Sequence, residues 1–117
     1  MNTESQLKLN IAEEFSKTPG PRTRAEGEYS AEQFLKNVLV PRFDAAIAHG
    51  EVLLIDLDGG YGYATSFLEE AFGGLARLRG VKEVLGHIDF KSEDEPYLKS
   101  DTLKYIREAE TGTRRRK

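Results

Sequence analysis

Apolar and polar positions alternate near the start of this chain. Leu7, Leu9 and Ile11 are separated by Lys8 and Asn10, the period-two pattern of a half-buried strand. Residues 17–28 contain Pro19, Gly20, Pro21 and Gly27, which predicts a turn-rich segment. From Ser30 the period changes. Phe34, Leu35, Val38, Leu39, Phe43 and Ile47 recur at helical spacing, and Ser30 with Gln33 has the spacing of a capping box. Pro41 interrupts the pattern. It lacks an N–H and biases Val40 toward extended geometry, so a kink or two consecutive helices are expected. His49 and Gly50 suit the C-terminal end of this element.

Residues 52–57 read Val-Leu-Leu-Ile-Asp-Leu, a short and nearly continuous apolar run that fits a central strand covered on both faces. Asp56 and Asp58 stand at its C-terminal end, and Gly59, Gly60, Tyr61 and Gly62 follow as a turn. The next helix is predicted to begin near Thr65 or Ser66, with Ser66 and Glu69 again at capping-box spacing. Its apolar stripe is Leu68, Ala71, Phe72, Leu75 and Leu78. Gly73 and Gly74 fall inside this helix, each costing about 1 kcal/mol relative to Ala, which predicts very close packing on the sheet or on a partner. Gly80 fits its C-cap. Val84, Gly86, Ile88 and Phe90 alternate with Leu85, His87 and Asp89 and predict a further strand. Residues 92–96 form an acidic turn. Leu98, Leu103, Ile106 and Ala109 predict a last helix that starts between Asp94 and Ser100. Strand and helix alternate three times, which implies a small α/β domain with some parallel strands and right-handed crossovers.

Length and charge narrow this picture. A chain of 117 residues is one domain, read here as residues 1–110 with a basic tail at 111–117. The net charge is −3, yet Arg114, Arg115, Arg116 and Lys117 carry +4, which leaves −7 for the rest. So acidic a body repels phosphate backbones and argues against nucleic-acid binding. With no Cys, the chain has no disulfide, Cys-ligated zinc or thiol nucleophile, and His49 and His87 are its only histidines. No apolar run spans a membrane and no targeting segment is visible, so a soluble cytoplasmic protein without cofactor or metal is expected.

Candidate chemistry concentrates between Ile55 and Glu70, where a strand end, a glycine-rich loop and a helix start follow one another. Ligands of open α/β sheets bind at such edges. A nucleotide loop lacks its motif here. Gly60 and Gly62 are followed by Thr65 where the dinucleotide pattern needs Gly, and there is no Gly-Lys-Ser/Thr. Asp56 and Asp58 offer oxygens for Mg²⁺, or simply make the turn. Ser66 reads as an N-cap, as a phosphoacceptor, or as both. Tyr61 and Tyr63 read as exposed aromatics suited to a protein interface or as a lid over the sheet end. Arg22 and Arg24 are loop charges that either bind phosphate or are solvated. His87 and Asp89 share a strand face in this reading and form a structural pair. No nucleophile, base and orienting group occur together, which argues against an enzyme.

The tokens Ile55-Asp56-Leu57-Asp58-Gly59, then Thr65-Ser66-Phe67-Leu68-Glu69-Glu70-Ala71-Phe72-Gly73-Gly74-Leu75, resemble the STAS-like domain family of unknown function. Tyr29-Ser30-Ala31-Glu32-Gln33-Phe34 resembles it too. The family is a bacterial and phage-associated relative of the sulfate-transporter and anti-sigma-factor-antagonist fold, and the likeness spans residues 7–109. It implies an α/β domain with a mixed sheet and helices packed mainly on one face. In anti-sigma antagonists the corresponding turn resembles Asp-Ser-Ser-Gly-Leu, and a partner kinase phosphorylates its second Ser. This chain has Ala64-Thr65-Ser66-Phe67-Leu68, so Ser66 holds the acceptor position and Thr65 the other hydroxyl, while Ala64 replaces the acid and Phe67 the Gly. The resemblance implies a non-enzymatic module that docks on a histidine-kinase-like ATPase. Its surface would comprise Asp58, Gly59, Gly60, Tyr61, Gly62, Tyr63, Thr65 and Ser66. The alternative is a nucleotide or small-molecule site at the same loop. Oligomeric state stays open, a dimer being compatible.

Overall fold

The computed structural model describes residues 6–109. The basic tail, residues 111–117, lies outside them. Three short strands, β1 (Gln6–Asn10), β2 (Val52–Asp56) and β3 (Ile88–Lys91), form one sheet in the order β1-β2-β3. Both pairings are parallel, so the expected mixed sheet is replaced, among the described residues, by an all-parallel one. The registers align Leu7 with Leu53 and Ile88, and Leu9 with Ile55 and Phe90. These rows face the core, where Leu9, Leu53 and Ile55 are fully buried. Lys8, Leu54 and Asp89 make the opposite row, and Lys8 is exposed while Leu54 and Asp89 are half-buried. Such alternation departs from the expectation that β2 is fully covered on both faces.

Ile11 does not extend β1. It opens a one-turn helix, α1 (Ile11–Glu14), because the Asn10 side chain accepts a hydrogen bond from the Glu13 N–H at 2.8 Å. The loop that follows contains a 3₁₀ turn at Arg24–Glu26 and folds back on the next helix. Gly20 N–H bonds the Tyr29 carbonyl at 2.8 Å. A Cβ on Gly20 would stand 2.3 Å from the Glu28 carbonyl oxygen, so only Gly permits this approach. Tyr29 takes a positive φ of 54° at the closure.

Ser30 caps the next helix as its spacing predicts. Its hydroxyl accepts from the Gln33 N–H at 3.0 Å, and Gln33 Oε1 reaches back to the N–H of Tyr29, one residue earlier than a capping box would place it. The helix then stays continuous through α2 (Ala31–Phe34), a wide π turn (Leu35–Leu39) and α3 (Val40–Ala48). The Val40 N–H bonds the Leu35 carbonyl, five residues back. This wide turn lies just ahead of Pro41, and the backbone remains helical there rather than dividing in two.

The same arrangement recurs in α4 (Thr65–Leu68), a π turn (Glu69–Gly73) and α5 (Gly74–Arg79). Gly74 lies so close to the first helix that a Cβ would meet Leu35 Cδ2 at 2.8 Å, and Gly73 faces the Tyr105 carbonyl of the last helix. The glycine pair therefore serves close packing against neighbouring helices, not against the sheet. Gly80, at φ 96°, ends α5.

Residues 81–87 form helix α6 (Val81–His87), not the first half of a strand. Val81, Val84, Leu85 and Ile88 also recur at i, i+3, i+4 and i+7, and over so few residues both periods fit. The Gly80 break and the Val84 N–H to Gly80 carbonyl bond decide for helix. Consequently His87 sits at a helix end, with Nδ1 3.1 Å from the Glu83 carbonyl, while Asp89 pairs with Lys99; the expected His87–Asp89 pair does not form. The chain closes with α7 (Tyr97–Glu108). Phe34 links the layers, touching Phe15, Phe67 and Phe72 at 5.1, 5.7 and 6.2 Å between centroids, and Phe72 meets Phe90 of β3 edge-on at 5.2 Å.

Two glycines test this account in opposite directions. A Cβ at Gly86 meets nothing within 4 Å inside α6, so Gly86→Ala is expected to stabilise the protein by about 0.5–1 kcal/mol. Gly20→Ala is expected to destabilise by about 1–3 kcal/mol through its backbone clash. Urea denaturation of both variants checks this, and destabilisation by Gly86→Ala would contradict a helix at residues 81–87.

Candidate functional site

Parallel strands release their following loops at one edge, and here that edge carries most of the candidate residues. Asn10, Asp56 and Lys91, the last residues of β1, β2 and β3, stand in one register row across the sheet. Asp56 is buried, with Lys8 Nζ 3.5 Å and Lys91 Nζ 3.8 Å from its carboxylate, and it accepts the Asp58 N–H at 3.0 Å. Asp58 is the knot between loops. Its carboxylate binds Lys91 Nζ at 2.8 Å and accepts the N–H groups of Glu93 and Asp94 at 2.8 and 2.9 Å. Asp94 in turn accepts the Gly59 N–H at 3.2 Å, and Asn10 Nδ2 donates to the Asp58 carbonyl. Both aspartates are thus committed to a protein cation and to backbone donors. Among the described residues no group of three or more carboxylates or imidazoles is disposed to hold a metal ion.

The Asp58 carboxyl feels opposing effects. Burial pushes it up, but the Lys91 ammonium and the Asp94 and Glu93 N–H groups outweigh burial and bring it down to about 2. Nearby Tyr63 is driven the other way. Burial raises its phenol first, and the charges of Asp56, Asp58 and Glu95 add to this. Tyr63 packs on Phe67 with 6.2 Å between ring centroids, and its buried hydroxyl has no hydrogen-bond partner. Tyr63 is thus packed into the structure, whereas Tyr61 has 81% of its surface exposed. Tyr61 N–H bonds the Lys17 carbonyl at 2.9 Å, which lays the loop after β2 against the loop after α1. Gly59 and Gly62 adopt φ of 95° and 134°, conformations that side chains disfavour, so the turn needs glycine at both.

Ser66 is not the cap of α4. Ala64 occupies that position in extended geometry and no side chain caps the helix, so Thr65 and Ser66 are its first two residues. The Ser66–Glu69 spacing mimics a capping box shifted by two positions from the true cap, Ala64. Thr65 is exposed and Ser66 half-buried. One turn further on, Arg22 donates through Nη1 to Glu69 and, at 3.1 Å, to Glu70, while Arg77 stands 3.4 and 3.9 Å from the same two carboxylates. Arg22 is thus a partnered cation, whereas Arg24 donates to Asn37 at 3.3 Å. A surface hollow lined by Arg24, Glu26, Glu28, Gln33 and Asn37 shares no residue with this edge.

Sequence reading gathered Asp58, Gly59, Gly60, Tyr61, Gly62, Tyr63, Thr65 and Ser66 correctly into one loop and helix start. It missed Asn10, Lys17, Lys91 and Asp94, because their links to this loop bridge 35 or more residues of chain in most cases and follow no local pattern.

The depressed Asp58 carboxyl has a signed consequence. Its folded-state value lies below the unfolded value of about 3.9, so it stabilises the protein above that pH and the contribution fades as pH falls toward 2. At neutral pH this amounts to roughly 2 kcal/mol. Asp58→Asn is expected to lose about that much at pH 7 and to show a flatter stability profile between pH 4 and 2.5, measured by urea denaturation at each pH.

Among the described residues no helix is long and apolar enough to cross a membrane. No curated protein and no solved structure matches the chain significantly. The family model for a STAS-like domain of unknown function matches residues 30–98, from the Ser30 cap to the start of α7 and across the whole loop just described. The chain belongs to this family of STAS-like domains.

Proposed function

We propose that this STAS-like domain is a non-enzymatic, cytoplasmic interaction module. In this reading its helices pack mainly on one face of the sheet, and residues 58–66 dock on a histidine-kinase-like ATPase that phosphorylates Ser66 or Thr65. The observation that carries the reading is the juxtaposition at one sheet edge of two hydroxyls in the first turn of α4 with Tyr61, an aromatic that the fold leaves in solvent. Aromatic side chains of this kind anchor protein interfaces. The carboxylates of Asp56, Asp58, Asp94 and Glu95 near the loop support a protein partner over a nucleotide, since a phosphate chain there would meet their negative charge.

In the modification step, the hydroxyl oxygen attacks the γ-phosphorus of ATP. The new O–P bond forms as the bond to the leaving ADP oxygen breaks, and the hydroxyl proton passes to the kinase base or solvent. The aspartate knot holds the edge rigid while this occurs, so the added charge alters a surface rather than the fold.

Incubation of the full chain with a kinase-like ATPase encoded beside it, and ATP, should add one phosphoryl group, located by intact-mass and fragment analysis at Thr65 or Ser66. Tyr61→Ala should weaken the complex about tenfold at unchanged melting temperature. Absence of phosphate, together with unaltered partner binding by Tyr61→Ala and Ser66→Asp, would falsify the reading. Saturable stabilisation by a nucleotide in a thermal-shift titration would favour a ligand site instead.

A further inference from the structure

We propose that the outer edge of β1 is a surface for pairing with a second copy of this chain, and that Arg42 and Glu14 hold it closed by standing where a fourth strand would bond. The backbone directions follow from the register. The Leu57 N–H points to β3, where the Lys91 carbonyl accepts it at 2.8 Å. Backbone groups along a strand turn alternately to its two sides, so those of Leu53 and Ile55 also face β3, and those of Val52, Leu54 and Asp56 face β1. In a parallel pair each bonded residue reaches the two residues that flank its register partner. Leu7 and Leu9, aligned with Leu53 and Ile55, are therefore the β1 residues bonded to β2. Gln6, Lys8 and Asn10 turn their backbone groups the other way, to an edge that no strand covers among the described residues.

Two side chains from different elements meet at that edge. Arg42 of α3 donates through Nη2 to the Lys8 carbonyl, and Glu14 of α1 accepts the Asn10 N–H through Oε2 at 3.2 Å. They also bond each other, Arg42 Nη1 to Glu14 Oε1. On a parallel fourth strand, the residue beside Leu9 would donate its N–H to the Lys8 carbonyl and accept the Asn10 N–H on its own carbonyl. The guanidinium takes the place of that N–H and the carboxylate the place of that carbonyl. Helix capping accounts for part of this, since Glu14 lies four residues after Asn10, the cap of α1. It does not account for Arg42, which comes from another helix and bonds a strand carbonyl.

Unpaired strand edges invite further strands, and charged side chains are a common means of closing them. The edge of β3 is treated alike. There the outward Phe90 N–H is taken by the Asp89 carboxylate at 2.8 Å, which Lys99 joins at 3.3 Å. That closure comes from the adjacent residue, whereas the one at β1 bridges 28 residues of chain and opens when a single ion pair parts. The Arg42 and Glu14 side chains are 35% and 39% exposed, so solvent and salt reach the pair. A second copy fits the opened edge because it offers the same groups. A twofold axis normal to the sheet sets two β1 strands antiparallel with Lys8 opposite its own copy, and both cores stay on one side of a continuous sheet. This pairing uses the Lys8 carbonyl and the Asn10 N–H that Arg42 and Glu14 now hold. Each Lys8 Nζ lies 3.5 Å from its own Asp56 carboxylate, which offsets the like charges set opposite each other.

Sedimentation equilibrium of the full chain over a range of concentrations reads the association. Arg42→Met keeps the apolar stem and removes both bonds, and it should associate at least about tenfold more tightly than wild type. The edge itself is read by Lys8→Cys, since the chain has no other cysteine. Directly opposed residues of a hydrogen-bonded antiparallel pair have Cα atoms about 5.5 Å apart, within the reach of a disulfide. Under mild oxidation Lys8→Cys should therefore cross-link two chains much faster together with Arg42→Met than alone. Equal association of wild type and Arg42→Met overturns the proposal, and so does tighter association without faster cross-linking at position 8. Should Arg42→Met fail to fold, Glu14→Lys, which repels Arg42 and bares the Asn10 N–H, is held to the same outcomes. None of these variants alters Tyr61, Thr65 or Ser66, so the result is independent of the docking reading above.

Discussion

Three strands that run the same way must release their chains at the same edge, and this constraint organises the molecule. The loops after β1, β2 and β3 carry Asn10, Asp58 and Asp94 to one line, where each would present unpaired backbone groups. Asp58 resolves the problem by accepting from Lys91, Glu93 and Asp94 at once, while its own carbonyl receives Asn10. One residue, through its carboxylate and its backbone carbonyl, thereby ties the ends of all three strands together. No regular hydrogen-bond ladder extends into this region, so side-chain chemistry has to do what pairing does elsewhere.

The acidity of the chain acquires a location from this arrangement. Most negative charge near the edge is held against a named donor: Asp56 against Lys8 and Lys91, Glu69 and Glu70 against Arg22 and Arg77. The pairs of Glu69 and Glu70 with Arg22 and Arg77 are partly exposed and add little stability individually. Their value is positional, since they hold a loop against a helix. Asp56 is buried and could not give up its cations at small cost.

How much of this was legible from sequence follows from the range of the interactions. The Ser30 cap, the β2 strand and most of the apolar stripe positions are local patterns that read correctly, because capping and amphipathic burial act within about one or two turns; Leu78, assigned to the second stripe, is exposed instead, and β2 is not covered on both faces. Residues 81–90 misled because an alternating run with apolar Val84, Leu85 and Ile88 satisfies both periods, and only the Gly80 break favours helix. Ser66 misled for a related reason. Its spacing to Glu69 is that of a cap, but the extended conformation of Ala64 starts the helix two residues sooner. The Gly73–Gly74 pair announced close packing without naming the surface, since the neighbour, Leu35, sits 39 residues earlier than Gly74. For the Asp58 knot only the acids themselves were visible; their donors come from other strands.

The two flanks of the α4 start differ in kind. On the sheet side, Asp58 is tied by one ammonium and two backbone N–H groups, and backbone donors cannot rotate away. On the helix side, Arg22 reaches Glu69 and Glu70 through a long side chain with free rotamers, anchored in a loop rather than a strand. The wide π turn at Glu69–Gly73 sits at this boundary. It rotates α5 relative to α4, so Gly74 can close on Leu35 while Glu69 and Glu70 remain turned toward Arg22. Close packing behind the helix and an adjustable charge cluster in front of it thus depend on the same local widening.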